Sequence, residues 1–244
     1  VMSDTKHFPI HALIVSAGQG SRFGADVPKQ YLSLLGKTVL QHSVSRLNTP
    51  QIADLTLVIA KDDKVAKNLS FDFGRPIHWA MGGAERFLSV LSGVSSLRER
   101  GVHDDAWVLI HDAARPCLPA TDLQKLICTV QAPDFDAVGA VLGVPVADTL
   151  KWVEHQHIIK TVDRSQLYQA QTPQIFRLSA LCDMLQTVAD TNTLITDEAS
   201  GFEQLGQNVV MVSGSRLNIK LTYPDDLPLI EAILSAQFDQ SIKA

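Results

Sequence analysis

Five short stretches carry side chains that can handle an anion or a metal ion. In VSAGQGSRFGADVPKQYL, residues 15–32, small residues follow an apolar run and two spaced cations, Arg22 and Lys29, come after them. Small residues let backbone N–H groups approach a phosphate chain, and the cations can neutralise it. The order Gly18-Gln19-Gly20-Ser21-Arg22-Phe23 puts Phe23 where a dinucleotide loop needs its third glycine, and it fits no G-x-x-x-x-G-K-[ST] loop either. A solvated strand-to-helix turn explains the same letters. In VLIHDAARPCL, 108–118, His111-Asp112 stands where an apolar strand meets a loop, the place where ligands lie in open α/β sheets. An Asp there can hold Mg²⁺ with waters and phosphate oxygens, or simply cap a turn, and Arg115 can fork onto an anion. Thr149, Arg164 and Thr172 are phosphate-binding types within a polar stretch that would contain them in any case. In LITDEAS, 194–200, Thr196 reads as a helix N-cap with Asp197 and Glu198 in the first turn, which needs no ligand. In NIKLTYPDDL, 218–227, Lys220 lies between Ile219 and Leu221 at strand spacing. It is either drawn inward by an anion or the polar side of an edge strand.

Other chemistries lack their residues. There is no G-x-S-x-G, no H-E-x-x-H and no zinc-spaced Cys/His group, and His155-x-His157 sits in a polar tip. The balance of 21 Lys+Arg against 26 Asp+Glu, net −5, argues against a general nucleic-acid binder. Cys117, Cys128 and Cys182 are odd in number and unspaced for a motif, which suits a reducing compartment. The start, VMSDTKHFPI, has no apolar leader core, and no apolar run reaches about 18 residues. The expectation is a cytoplasmic chain with no membrane and no nucleic-acid partner.

The elements that must position these residues alternate. Strands are expected at 10–16, 55–60, 77–80, 106–111, 137–146 and 208–213, and helices at 38–48, 62–69, 84–99, 121–131, 177–190, 196–205 and 224–237. This rhythm, with nearly all-apolar first and fourth strands, predicts an α/β fold: a mostly parallel sheet with helices on both faces. Residues 143–172 break it, with β-branched residues around a polar centre, EHQH. They read as an antiparallel arm joined near 154–157, protruding from a single domain over 1–244. Val144, Val146, Leu150, Trp152, Ile158, Ile159 and Val162 give the arm more apolar surface than a lone hairpin can bury, which predicts a homodimer.

Taken in order, A-G-Q-G-S-R-F (17–23), P-K-Q-Y-L (28–32), G-G-A-E-R (82–86), H-D-A-A-R-P-C (111–117), D-T (148–149), T-V-D-R (161–164), T-P-Q (172–174), T-D-E-A (196–199) and N-I-K (218–220) give the chain a resemblance from about residue 10 to about 230. It resembles the 2-C-methyl-D-erythritol 4-phosphate cytidylyltransferase family of the non-mevalonate isoprenoid pathway. The resemblance implies a Rossmann-like fold with a β-arm that builds a homodimer. It implies CTP and a sugar-alcohol phosphate as substrates, pyrophosphate as a product, and Mg²⁺. Arg22, Lys29 and Lys220 would surround the CTP phosphates as the catalytic cations, with Asp112 near Mg²⁺. Ser16, Ala17, Gly18, Gly20, Gly83 and Ser89 would hold the rest of the nucleotide. Arg115, Thr149, Arg164, Thr172 and Thr196 would meet methylerythritol phosphate, Arg164 reaching the neighbouring subunit's site.

The sequence departs from the family pattern in three places. Val15-Ser16-Ala17-Gly18 stands for Pro-Ala-Ala-Gly, Ala84 stands where Asp is frequent, and only Arg22 follows Ser21 where two arginines are common. A ribitol 5-phosphate cytidylyltransferase would share the glycine loop and the lysines. A non-catalytic nucleotide-binding module is the reading from another class, against which Arg22, Lys29, Asp112 and Lys220 stand. The failed glycine spacing disfavours a nicotinamide dehydrogenase.

Overall fold

The computed structural model describes residues 8–18 and 27–243. In chain order, β1 (Ile10–Val15) leads to a short hairpin, β2 (Ser33–Leu34) and β3 (Lys37–Thr38). Then come α1 (Val39–Arg46), β4 (Ile52–Ile59), β5 (Ile77–Met81), α2 (Arg86–Glu99), β6 (Trp107–Asp112) and α3 (Ala120–Gln131). The second half holds β7 (Gly139–Pro145), β8 (Leu150–Glu154), β9 (His157–Val162), β10 (Tyr168–Arg177), α4 (Leu178–Thr191), α5 (Glu198–Gln204), β11 (Val209–Ser213) and α6 (Asp226–Lys243).

Among the described residues, seven strands form one sheet in the order β11-β7-β10-β6-β1-β4-β5. All pairings are parallel except the two made by β10, which runs antiparallel between β6 and β7. The apolar strands have helices over both faces. Ile10, Ala12 and Ile14 of β1 pack with Leu40 and Val44 of α1 and Leu123 and Leu126 of α3. Leu13, pointing the other way, packs with Val90 and Val94 of α2 and Leu181 and Leu185 of α4. A strand wetted on neither face needs no polar alternation, which is why IHALIV and WVLIHD read as apolar runs. Helix starts follow local chemistry as well. Thr38 caps α1 in a capping box with Gln41, and its Oγ1 accepts from the Gln41 N–H.

Four expectations need correcting. The helix expected at 62–69 is only a 3-10 turn over Ala66–Asn68, because Asp63 Oδ1 accepts from the N–H groups of Val65 and Ala66 and holds a turn instead. The arm is shorter than 143–172. Tyr168 and Gln169 pair with Pro145 and Val144 inside the main sheet, and Val144 is buried. What projects is the β8–β9 hairpin, a two-stranded sheet of its own, turned at His155 and Gln156 with φ of 48° and 68°. Thr196 is not the N-cap of α5. Asp197 is, accepting from the Ser200 N–H at 2.9 Å. Lys220 lies on no strand; it follows β11 in an extended segment tied by Leu221 N–H to Ala114 O at 2.8 Å.

Candidate active site

Parallel register brings the ends of β1 and β6 together, Val15 opposite Asp112, and β4 ends beside them with Val58 opposite Val15. Everything that leaves these ends shares one edge of the sheet. Ser16 stays attached through its N–H to Val58 O at 2.8 Å, and Gln30 Nε2 donates to Ser16 O at 2.9 Å and Gly18 O at 3.2 Å. The Gly82-Gly83 turn lies against this loop. Gly82 N–H donates to Ile59 O at 2.8 Å, and a Cβ on Gly82 would stand 2.2 Å from Ala17 Cβ. Only glycine allows that approach. The Gly83 N–H is held by Ser89 Oγ at 3.1 Å, so the buried Ser89 shapes the turn.

Asp112 is the centre of the charge. It is 7% exposed and meets three cations: Lys220 Nζ at 2.7 Å from Oδ2, Arg86 Nε at 3.3 Å from Oδ1, and Arg115 Nε at 3.9 Å from Oδ2. Burial alone would raise the Asp112 carboxyl. Arg86, Lys220 and Arg115 outweigh it and hold the group well below the usual carboxylate range. Lys29 joins from the turn after Pro28, its Nζ donating to Leu221 O at 2.7 Å. A lysine far away in the chain thus reaches the segment that carries Lys220.

Behind Asp112 lies a hydrogen-bond relay that needs one histidine tautomer. Arg115 O can only accept, so His111 donates through Nε2, at 3.0 Å. His111 Nδ1 then accepts from the Thr172 hydroxyl at 3.0 Å, and Thr172 Oγ1 accepts from the Asp112 N–H at 3.0 Å. Burial keeps His111 neutral and pushes its pKa down to about 4. Thr172, expected on the substrate phosphate, is 5% exposed and uses its hydroxyl to fix the 111–112 strand end. Arg115 is engaged too, Nη1 donating to Asn218 O at 2.7 Å and Nη2 to Ala170 O at 3.5 Å.

Other expected residues sit apart. Thr149 and Arg164 are exposed at the base of the arm, and no hydrogen bond or ion pair among the described residues joins them to Asp112. Thr196 is exposed beside α5. Gly20 and Arg22 lie outside the described residues. Two members of the site escaped the sequence reading. Arg86 closes the GGAER stretch, and Glu198 follows Thr196-Asp197. They form an ion pair, and Glu198 is 0% exposed. A charged residue three places after a glycine pair was the available signal, but its partner is 112 residues away.

Among the described residues no group of three His, Cys, Asp or Glu side chains could hold a metal ion. Asp112 offers one hard carboxylate, with Oδ2 turned to a half-exposed Lys220. That donor set fits Mg²⁺, which keeps several waters and takes its other ligands from substrate phosphates. Among the same residues, no helix is long and apolar enough to cross a membrane.

The family model for 2-C-methyl-D-erythritol 4-phosphate cytidylyltransferase matches residues 10–236. The chain is 46% identical to the enzyme of that description from Psychrobacter arcticus, covering 96% of this chain and 94% of the relative. Among solved structures it is similar to a 4-diphosphocytidyl-2C-methyl-D-erythritol synthase, with TM-score 0.80, 36% identity, and 93% and 99% of the two chains covered. It is also similar to the Francisella tularensis 2-C-methyl-D-erythritol 4-phosphate cytidylyltransferase, with TM-score 0.78, 31% identity, and 92% and 99% covered.

Proposed function

The chain belongs to the 2-C-methyl-D-erythritol 4-phosphate cytidylyltransferase family, and on that premise we propose that it joins CTP to 2-C-methyl-D-erythritol 4-phosphate and releases pyrophosphate. The observation that carries the reading is that Lys220 meets Asp112 while Lys29 reaches the next residue, Leu221, at the carboxyl edge of the sheet beside two small-residue turns. An oxygen of the substrate phosphate attacks the α-phosphorus of CTP, the bond from that phosphorus to the bridging oxygen breaks, and pyrophosphate carries the electron pair away. The nucleophile is already anionic at neutral pH, so no strong base is needed. The obstacle is repulsion between anions, and this chain answers it with positioning and cations. Lys29 and Lys220, with Arg22, neutralise the triphosphate. The backbone of Ser16, Ala17, Gly18 and Gly83 holds cytosine and ribose. Asp112 would hold Mg²⁺, which when bound supplies charge neutralisation on the phosphates.

The active species is a homodimer built through the arm. Trp152, Ile158 and Ile159 are 53%, 65% and 55% exposed on the hairpin, an apolar surface that a second copy would cover. Arg164, which touches nothing at its own Asp112, completes the neighbour's site and binds the sugar-alcohol phosphate there. Three unpaired cysteines, Cys117, Cys128 and Cys182, suit a cytoplasmic location.

Pyrophosphate release tests the reading. It is expected with CTP and methylerythritol phosphate, to fall strongly with UTP, ATP or GTP, and to stop in excess EDTA. Release only with ribitol 5-phosphate would reassign the substrate, and full activity in EDTA would remove the metal. Mixed Arg164→Ala and Lys29→Ala subunits should regain part of the activity that each lacks alone. Mixtures that stay inactive despite verified exchange would end the shared-site arrangement.

A further inference from the structure

Asp112 has two kinds of partner. Lys220 comes from an extended segment, and its side chain is 41% exposed. Arg86 is 28% exposed at the side chain and is gripped from behind by a carboxylate sealed from solvent, Glu198. Glu198 is fixed in turn. Its helix starts at the Asp197 capping box, Asp197 Oδ2 accepts from Gln174 Nε2 at 2.7 Å, and the Ala199 N–H donates to Gln174 Oε1 at 3.1 Å. Gln174 lies in the sheet on β10, opposite Ile110 and Val141. The chain Gln174–α5–Glu198–Arg86–Asp112 is therefore anchored in the sheet at both ends.

Arg86 is also the first residue of α2, directly after the Gly82-Gly83 turn and Glu85, while Glu198 opens α5 directly after Thr196 and Asp197. One ion pair spans the two sides of the proposed site. A guanidinium beside a triphosphate is normally drawn onto it by a bidentate fork. Here Arg86 is already engaged by Glu198.

We propose that Arg86 and Glu198 are positioning residues: Glu198 withholds Arg86 from the triphosphate, and Arg86 in turn holds Asp112 by Oδ1, leaving Oδ2 to Lys220 and, at longer range, Arg115. Lys220 is the exchangeable partner that leaves Asp112 for the phosphates when CTP binds, and Arg86 is the partner that stays. This rests on the cytidylyltransferase reading and adds two residues to it.

Glu198→Gln gives the sharpest readout, because it keeps the shape and removes the charge that holds Arg86 against the pull of a triphosphate. With Arg86 released towards the triphosphate, KM for CTP should stay level or fall, while kcat drops by about 10²-fold, the scale for a misplacement on the order of 1 Å. A residue that merely holds the fold would instead raise KM and lower Tm together. Losing one member of a buried pair can also unfold a protein. The second variant is therefore the double change Arg86→Met with Glu198→Met, which leaves no unpaired charge between them. It should fold, lose a similar factor in kcat, and show no fall in KM for CTP because no cation is freed. The proposal is overturned if both variants keep kcat within about twofold of the parent enzyme. It is equally overturned if Glu198→Gln raises KM for CTP in step with a loss of Tm. A parent enzyme that releases no pyrophosphate would instead remove the cytidylyltransferase reading, and this assignment with it.

Discussion

Helix α2 carries a knot of charge at each of its ends, and the two knots behave differently. At its start, Arg86 meets Asp112 at the carboxyl ends of the strands. At its end, the C-cap residue Arg100 meets Asp54 Oδ2 at 3.4 Å near the amino ends, where His11 Nδ1 lies 2.9 Å from Asp54 Oδ1 and His78 Nε2 3.7 Å from Oδ2. Both carboxylates are held below the usual range against the penalty of burial, Asp54 chiefly by His11 and then Arg100, and Asp112 by Arg86, Lys220 and Arg115. The difference lies in what else the cations can reach. Arg100 spends a second donor on Thr56 Oγ1 at 3.2 Å. Asp112 faces two small-residue turns and a half-exposed lysine. A buried carboxylate among cations is thus no signature of catalysis by itself. The open side of the Asp112 cluster is what the proposed chemistry rests on.

The largest effect should come from the exchangeable cation. Lys220→Ala is expected to cost on the order of 10²–10³ in kcat, the scale for removing a donor aimed at developing charge, with little change in Tm. Lys29→Ala should act alike. Loss of Tm with normal turnover in either variant would make the two knots equivalent and erase the distinction.

Asp54→Asn should show the opposite behaviour. Removing a buried anion leaves Arg100 and the histidines facing one another, at a cost of about 3 kcal/mol or roughly 6–12 °C in Tm for a chain of this size. Thermal unfolding checks this. An unchanged Tm would mean that the knot at the amino ends holds nothing together.

Acid should reveal a histidine at each end. Burial lowers His78 at one end and takes His111 down to about 4 at the other. A histidine whose folded pKa lies below its unfolded value binds fewer protons in the native state. Its stability is therefore present above the unfolded value, about 6.5, and lost as pH falls through the folded one, which for His111 is about 4. For His111 the loss by pH 4 amounts to about 3 kcal/mol. Melting curves across that range should show it, and His111→Gln should flatten the slope.

These contrasts also show what the sequence could disclose. The parallel sheet and the strand end at Asp112 were legible, because apolar runs and their breaks follow from burial on both faces. The Asp54 knot was not. His11 and Asp54 are 43 residues apart and are joined by strand register, which no local pattern encodes. Strand β10 was hidden because YQAQTPQIF is polar at its start, and Pro173 argues against a central strand until the ladder irregularity between Ala170 and Gln174 accommodates it. Glu198 looked like an ordinary acid in a helix's first turn; only the fold shows that it is buried against Arg86. Thr172 was placed near the methylerythritol phosphate by the resemblance alone, and here its hydroxyl is spent on His111 and Asp112.

The most direct test of the account sets the two carboxylates against each other in one assay. Pyrophosphate release from CTP and methylerythritol phosphate would be measured for Asp112→Asn and Asp54→Asn below both melting transitions. The expected result is a fall on the order of 10² in kcat for Asp112→Asn and a change within about twofold for Asp54→Asn. Equal losses in the two variants, or a loss confined to Asp54→Asn, would contradict the placement of the chemistry at the carboxyl edge of the sheet.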